Sequence, residues 1–413
     1  MKVSDQLLES AYSVAIDHDP ITLEKQIHLA LGLHSCKDGK NERKDLNLVI
    51  VLDISGSMSS SMSGKGSESK MKVANKVICE IIDNLKDFER LGIVLFDDKA
   101  ETFLPLTIVQ DLEKKSLKER VMKITEKGST NFEAGMKRGI DLFSTMDSSD
   151  LSNSNRIIYL TDACPNVGGT DSLDVLTKDA NSGPYGILST FIGIGLDFNS
   201  EIVEELTKVR GCNYFSVKSS EEFKKILNED FNYIVTPICY NVKLTLESKD
   251  YEIEKCFGTN MAEQATGEIM KLDSCSAGQL DERGVKGGIV LLRLKQKSQP
   301  IEDSIIKLTL SYENEEGKKF RQEKQVTIKT DLDGNLYETN GIRKAVALVR
   351  YVEIVKDYLD KKGNQHSKSN TSPEWNSKFL QLSEIFTNEM NEIGDELMKQ
   401  ELEVINKLIY YSK

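Results

Sequence analysis

The sequence predicts an α/β protein in which a doubly wound, mostly parallel, Rossmann-like sheet is inserted into an antiparallel β-sandwich and followed by C-terminal helices. Short apolar runs alternate with amphipathic helical segments in the middle of the chain. Strands of alternating polarity flank this region, and helical periodicity returns after residue 340. We therefore expect four units, which are an N-terminal segment that contributes one strand to the sandwich (1–45), the α/β domain (46–235), the rest of the sandwich (236–330) and a helical region (340–413).

The α/β domain is predicted from apolar runs of strand length that are separated by segments with helical spacing. Residues 47–54 (LNLVIVLD) are rich in Val, Ile and Leu, which is typical of a parallel strand buried on both faces. The other predicted strands are 91–96, 103–109 (at an edge or in a hairpin), 156–161, 187–194 and 213–217. The predicted helices are 71–85, 112–125, 132–143, 201–209 and 221–231.

The flanking segments follow the two-residue period of half-buried strands. In residues 27–34, large apolar side chains alternate with His28, Ala30, Gly32 and His34, so we expect the face that carries both histidines to be in solvent. Because one strand cannot fold alone, we expect it to pair with later strands of the same style. Those strands are 240–246, 289–294, 305–312 and 322–328, and two helical segments around a polar linker at 363–376 follow them.

Composition excludes several classes of protein. The chain has 413 residues and a net charge of −12, and such an acidic chain is a poor candidate for nucleic-acid binding, which needs Lys and Arg to neutralise phosphates. No apolar run reaches the roughly 18–20 residues of a membrane-spanning helix, and the acidic N-terminal residues argue against a signal peptide. The seven cysteines are widely spaced and form no CxxC motif, which favours reduced thiols in a cytoplasmic protein.

Polar side chains cluster where three segments reach the carboxyl edge of the predicted sheet, the edge at which open α/β sheets bind ligands. The candidate metal ligands are Asp53, Ser55 and Ser57 after the first buried strand, Thr130 in a GSTN loop, and Asp162 after a later strand. Carboxylate and hydroxyl oxygens suit Mg²⁺, with Mn²⁺ or Ca²⁺ as alternatives, and suit zinc poorly. Each residue taken singly also fits a helix cap or a turn. Their coincidence at three strand ends favours a metal site.

These motifs resemble the metal-ion-dependent adhesion site of von Willebrand factor type A domains. The resemblance rests on DISGSM after a buried strand, GSTN before a helix and LTD after a later strand, and it covers about residues 46–235. Residues 191–223 also resemble the closing strand, helix and strand of that family. The resemblance implies that Ser55, Ser57 and Thr130 bind the metal directly, while Asp53 and Asp162 hold it largely through waters. It further implies that an Asp or Glu carboxylate of a partner protein takes the remaining position.

The order of the units is similar to that of calcium-activated chloride channel-like proteins and inter-alpha-trypsin inhibitor heavy chains. We therefore favour a divalent-metal-dependent protein–protein interaction module that is not an enzyme. Two alternatives stay open. A metal-dependent phosphohydrolase would use a basic side chain as a charge clamp, and the three motif segments contain no His, Lys or Arg. A structural scaffold with a degenerate metal site is suggested by Ala163, which stands where the family usually has glycine.

Overall fold

The structure is a computed structural model. It describes residues 7–36, 44–62, 68–146, 153–162, 177–195, 209–217, 219–229, 231–259, 266–276, 280–281, 284–285, 289–297, 303–329, 334–363 and 373–412. Ala163, most of the predicted helix at 201–209 and part of the predicted linker at 363–376 lie outside these residues.

The predicted strands and helices that lie within the described residues occur in the expected order, and the structure contains further strands that the sequence did not predict. The strands are β1 (Leu8–His18), β2 (Lys25–Ser35), β3 (Leu46–Asp53), β4 (Arg90–Phe96), β5 (Ala100–Ile108), β6 (Ser154–Thr161), β7 (Leu188–Ile194), β8 (Asn213–Val217), β9 (Pro237–Glu247), β10 (Tyr251–Phe257), β11 (Glu268–Ser276), β12 (Leu280–Asp281), β13 (Gly284–Val285), β14 (Ile289–Gln296), β15 (Ser304–Glu313), β16 (Lys319–Ile328) and β17 (Leu336–Tyr337). The helices are α1 (Lys70–Asn84), α2 (Lys114–Val121), α3 (Phe132–Asp141), α4 (Ser220–Lys224), α5 (Phe231–Ile234), α6 (Asn340–Gly363), α7 (Pro373–Ile393) and α8 (Lys399–Tyr411).

The central sheet has six strands in the order β5-β4-β3-β6-β7-β8. All pairs are parallel except β4 with β5, so the predicted edge strand is antiparallel. One face of β3 packs Ile50 and other side chains against α1, and the opposite face packs Val51 against α3. After β3 the chain adds β4 on one side and later β6 on the other, which is the doubly wound arrangement with its switch point beside β3.

Two antiparallel sheets form the sandwich into which this domain is inserted. Their strand orders are β10-β14-β2-β1-β17 and β11-β9-β15-β16, with a shared apolar core between them. β2 pairs with β14, so a strand that precedes the inserted domain lies beside one that follows it. The expectation of a single N-terminal strand was wrong, because β1 is a second one. Its buried Ser10, Ser13 and Asp17 interrupt the apolar pattern by which a strand is recognised in a sequence.

The second face of β2 lies beneath α6. Ile342 of α6 packs in one apolar cluster with Ala30 of β2. His28 is 1% exposed, and its Nδ1 lies 3.8 Å from Asp17 Oδ1. His34, near the strand end, remains partly exposed. The predicted solvent face was therefore wrong for His28, because a helix more than 300 residues later in the chain covers it.

Charged pairs also join α6 to the sandwich. Arg350 Nη2 donates a hydrogen bond to Asp17 Oδ2 at 2.7 Å. Arg293 of β14 contacts Glu353 through both terminal nitrogens, at 3.1 and 2.8 Å. α6, α7 and α8 share an apolar cluster centred on side chains such as Phe379. Within the described residues, no helix has the length and apolar character that crossing a bilayer requires.

Candidate metal centre

The candidate centre lies at the carboxyl ends of β3 and β6, the two neighbouring strands at the switch point. Asp53 is the last residue of β3 and Asp162 directly follows β6. Parallel pairing places Leu52 opposite Leu160, so both strands end at the same level of the sheet. The sheet therefore brings the two carboxylates to one edge, as their positions after apolar strands predict.

A chain of hydrogen bonds connects four of the five predicted residues. The Ser55 amide donates to Asp53 Oδ1 at 2.8 Å, and the hydroxyls of Ser55 and Ser57 lie 3.0 Å apart. Ser57 Oγ donates to Asp162 Oδ1 at 2.7 Å. The second oxygen of Asp53 accepts a hydrogen bond from Thr161 Oγ1 at 2.5 Å. Two carboxylates and two hydroxyls thus converge on one small volume of space.

The fifth residue, Thr130, lies on a loop that backbone hydrogen bonds attach to this edge. The Gly56 amide donates to the Gly128 carbonyl at 3.2 Å, and the Asn131 amide donates to the Asp97 carbonyl at 2.6 Å. Gly128 has a φ of +73°, and a Cβ there would lie 3.0 Å from the Asp97 side chain, so the tight turn requires glycine. Thr130 is half-buried beside this turn, and no hydrogen bond joins its hydroxyl to the other four residues in the described part of the chain.

Helix capping explains part of this geometry, as the alternative interpretation expects. Asp53 accepts a backbone hydrogen bond from Ser55. Ser55 precedes a short 3₁₀ helix at Gly56–Ser59, but its hydroxyl makes no capping hydrogen bond and faces Ser57 instead. The cap of α1 is Ser69, whose side chain accepts from the Lys72 amide. The hydroxyls of Ser55 and Ser57 therefore belong to the cluster of oxygens and not to a helix end.

The cluster is buried, so an unneutralised negative charge there is energetically unfavourable. Asp53 is fully buried. Desolvation raises the pKa of the Asp53 carboxyl above its ordinary value, and the nearby charge of Asp162 raises it further, against the opposing effect of hydrogen bonds from Thr161 and Ser55. A cation placed between the two carboxylates would remove this penalty.

Sequence reasoning missed one charged residue at this edge. The Lys70 ammonium lies 2.8 Å from Asp162 Oδ2. The observation that the three motif segments contain no basic residue is correct, but it does not hold for the folded site, because Lys70 reaches the site from the start of α1. A helix that follows a parallel strand begins at the carboxyl edge of the sheet, so the first residues of α1 could have been considered.

The fold and the location of these residues define a class of protein: a doubly wound α/β domain with a polar site at its switch point. Residues 47–229 match the family model of the von Willebrand factor type A domain. The family resemblance and the predicted fold class are thereby confirmed.

Relatives match over the same part of the chain. An inter-alpha-trypsin inhibitor heavy chain H1 from Mesocricetus auratus is 25% identical over 48% of this chain and 21% of its own length. Heavy chain H4 from Bos taurus is 24% identical over 50% of this chain and 22% of its own length. The uncharacterized protein YfbK of Escherichia coli is 24% identical over 51% of this chain and 35% of its own length. The chain therefore matches only about a fifth to a third of the length of these relatives.

One solved structure extends the likeness to nearly the whole chain. The von Willebrand factor type A protein from Catenulispora acidiphila superposes with a TM-score of 0.56 over 97% of this chain and 91% of its own, at 13% identity. At this identity the likeness concerns the fold alone. The fold that is shared includes the strands and helices outside the type A domain.

Proposed function

We propose that this protein binds a divalent cation at the edge of its type A domain and uses the bound cation to capture an acidic residue of a partner protein. The proposal rests on one observation, which is the hydrogen-bonded chain from Asp53 through Ser55 and Ser57 to Asp162 at the switch point. The loop that carries Thr130 is attached beside it.

The donor set fits a hard cation. Every donor atom is a carboxylate or hydroxyl oxygen, which is the chemistry that Mg²⁺ prefers and that Mn²⁺ and Ca²⁺ accept. Ser55, Ser57 and Thr130 would supply neutral ligands, and Asp53 and Asp162 would contribute charge largely through waters. Because the direct ligands are neutral, the cation keeps enough positive charge to attract an Asp or Glu carboxylate from the partner.

Calorimetric titration with MgCl₂ and MnCl₂ tests the metal site. Wild-type protein should bind one ion, and Asp53→Asn should lose that binding while circular dichroism stays unchanged. Asp87→Asn, which removes an exposed carboxylate elsewhere in the domain, is the matched control and should bind like wild type. Undiminished binding in Asp53→Asn would place the ion at another site.

Thr130→Ala tests the capture of a partner, because it removes a ligand and leaves both carboxylates in place. A partner recovered from native lysate with Mg²⁺ should be lost with this variant and with a chelator, and its capture should fail when its critical Asp or Glu is changed to the amide. Capture that persists in Thr130→Ala and in chelator would assign the interaction to the sandwich or to the C-terminal helices.

A metal-dependent phosphohydrolase is the second candidate, and the position of Lys70 favours it, since an ammonium could contact a phosphoryl oxygen at this edge. A phosphatase screen with Mg²⁺ separates the two functions. Phosphatase turnover in wild-type protein that is lost in Asp53→Asn would support the hydrolase. If wild-type protein binds Mg²⁺ but shows no turnover, the result would support the binding module. Failure of wild-type protein to bind any divalent ion would support the structural scaffold.

The compartment is part of the same proposal. The six cysteines within the described residues are free thiols, and two of them, Cys212 and Cys239, are buried. Free thiols persist in a reducing compartment, so we place the protein in the cytoplasm. Labelling of the protein in intact cells with a thiol reagent that does not cross membranes would contradict this location.

A further inference from the structure

The first residue of α1 forms a buried ion pair inside the candidate metal centre. The Lys70 ammonium donates to Asp162 Oδ2 at 2.8 Å, while Asp162 Oδ1 accepts from Ser57. The Lys70 side chain is 13% exposed and that of Asp162 is 0% exposed. The ammonium is therefore held at the cluster and is not a solvated charge that passes near it.

The neighbouring strand end leaves space for this ammonium. Gly195 directly follows β7 and has a φ of +119°, and its amide donates to the Val217 carbonyl at 2.9 Å. A Cβ at residue 195 would lie 3.1 Å from Lys70 Nζ. A side chain there would crowd the lysine, so three elements, α1, β6 and β7, jointly define the position of one cationic group.

We infer that Lys70 is the internal counter-cation of the candidate centre, which neutralises Asp162 in the metal-free protein and which a divalent ion must displace. This inference rests on the proposed metal site. Asp162 is one of two carboxylates available to balance the charge of the ion, and one of its oxygens already has a full positive charge 2.8 Å away. Two cations that compete for one carboxylate weaken each other's binding by the same factor.

Two consequences follow from this competition. Loss of the ammonium should strengthen metal binding, because the ion no longer has to displace or tolerate a neighbouring positive charge. The same loss should lower the stability of the metal-free protein, because Asp162 is left buried without its partner. A residue with a merely structural role in α1 would produce only the second effect.

The experiment compares wild-type protein with Lys70→Met in the full chain. Calorimetric titration with MnCl₂ gives the affinity, and thermal unfolding in chelator gives the stability of the metal-free protein. We expect about tenfold tighter Mn²⁺ binding in Lys70→Met, as removal of one repelling charge at close range implies. We also expect a lower unfolding temperature in chelator. Lys72→Met removes an exposed ammonium from the same helical turn and should match wild type in both measurements.

Lys70→Gln keeps a hydrogen-bond donor without the charge, so it tests the same inference if Lys70→Met does not fold. Equal or weaker Mn²⁺ binding in the Lys70 variants, with binding intact in wild type, would overturn the inference and leave the metal site standing. Absence of Mn²⁺ binding in wild type and in both variants would overturn the metal site and the inference together. Tighter binding in Lys72→Met as well would assign the effect to net charge and also overturn the inference.

Discussion

Protonation of a single buried histidine should make the sandwich sensitive to mild acid. His28 lies beneath α6 next to Asp17. The charges of Arg350, Arg293 and Glu353 are also close enough to change its pKa. Burial is the largest of the effects that lower the pKa of His28 from 6.5 to about 4; the charges of the two arginines act in the same direction, and those of Asp17 and Glu353 oppose them. The folded protein therefore keeps His28 neutral in a pH range where the unfolded chain protonates it.

The sign and the size of the effect follow from this difference. Above pH 6.5 the histidine is neutral in both states and contributes no pH dependence. Between pH 6.5 and about 4 the unfolded state binds the additional proton, so the free energy of unfolding falls as the pH falls. At about 1.4 kcal/mol per unit of difference between the unfolded and folded pKa, the free energy of unfolding falls by about 3 kcal/mol in total.

Urea unfolding of wild type and His28→Gln between pH 7 and pH 4 measures this loss. Trp375, the one tryptophan of the chain, packs edge-on against Tyr358 of α6, so its fluorescence reports on the covering helices. The wild type should lose about 3 kcal/mol more than His28→Gln across this range, because the carboxylates titrate in both proteins and cancel in the comparison. His34→Gln, at the partly exposed histidine, should behave like wild type. Parallel pH profiles for wild type and His28→Gln would show that His28 does not cause the loss of stability in acid.

Two further substitutions test the packing inside the α/β domain and the ion pair that joins α6 to the sandwich. Gly139→Val should cost about 2 kcal/mol in urea unfolding of the α/β domain, because even a Cβ at residue 139 would lie 2.7 Å from Val51 Cγ2 and a larger side chain would overpack this contact. Glu353→Gln should cost about 2 kcal/mol in unfolding followed by tryptophan fluorescence, because it leaves the guanidinium of Arg293 largely buried without its bidentate partner.

Each of these two has a matched control. Gly32→Ala places a methyl group where no atom lies within 4 Å, and it should leave stability unchanged. Glu374→Gln removes the exposed partner of Lys378, and no measurable change is expected, since exposed pairs of this kind contribute little. If Gly32→Ala lowered the free energy of unfolding as much as Gly139→Val, the packing explanation would be contradicted. If Glu374→Gln lowered it as much as Glu353→Gln, the ion-pair explanation would be contradicted.

The α/β half of the fold could be predicted from sequence because its strands are buried on both faces. Runs such as 47–54 are apolar throughout and need no knowledge of their neighbours to be recognised. The candidate site was predictable for the same reason, since Asp53 and Asp162 immediately follow such runs and parallel strands end at one edge.

The missed features depend on contacts between distant parts of the chain. β1 contains buried Ser10 and Asp17, and their polarity hides the strand until partners from β17 and α6 are in place. His28 looks like a solvent-facing residue because the helix that covers it lies near the other end of the chain. Lys70 lies outside the three motif segments, and the packing of α1 against the sheet brings it to Asp162.

Anomalous diffraction from crystals soaked in MnCl₂ is the most direct test of the proposed metal centre, because it locates the ion without reference to affinity or activity. We expect one strong peak at the carboxyl edge of β3 and β6, at about 2–2.5 Å from the hydroxyl oxygens of Ser55, Ser57 and Thr130. The Lys70 ammonium should have moved away from Asp162 in the same crystals. A peak elsewhere would exclude this edge as the metal centre, and so would the absence of manganese there at saturating concentration while Lys70 keeps its contact.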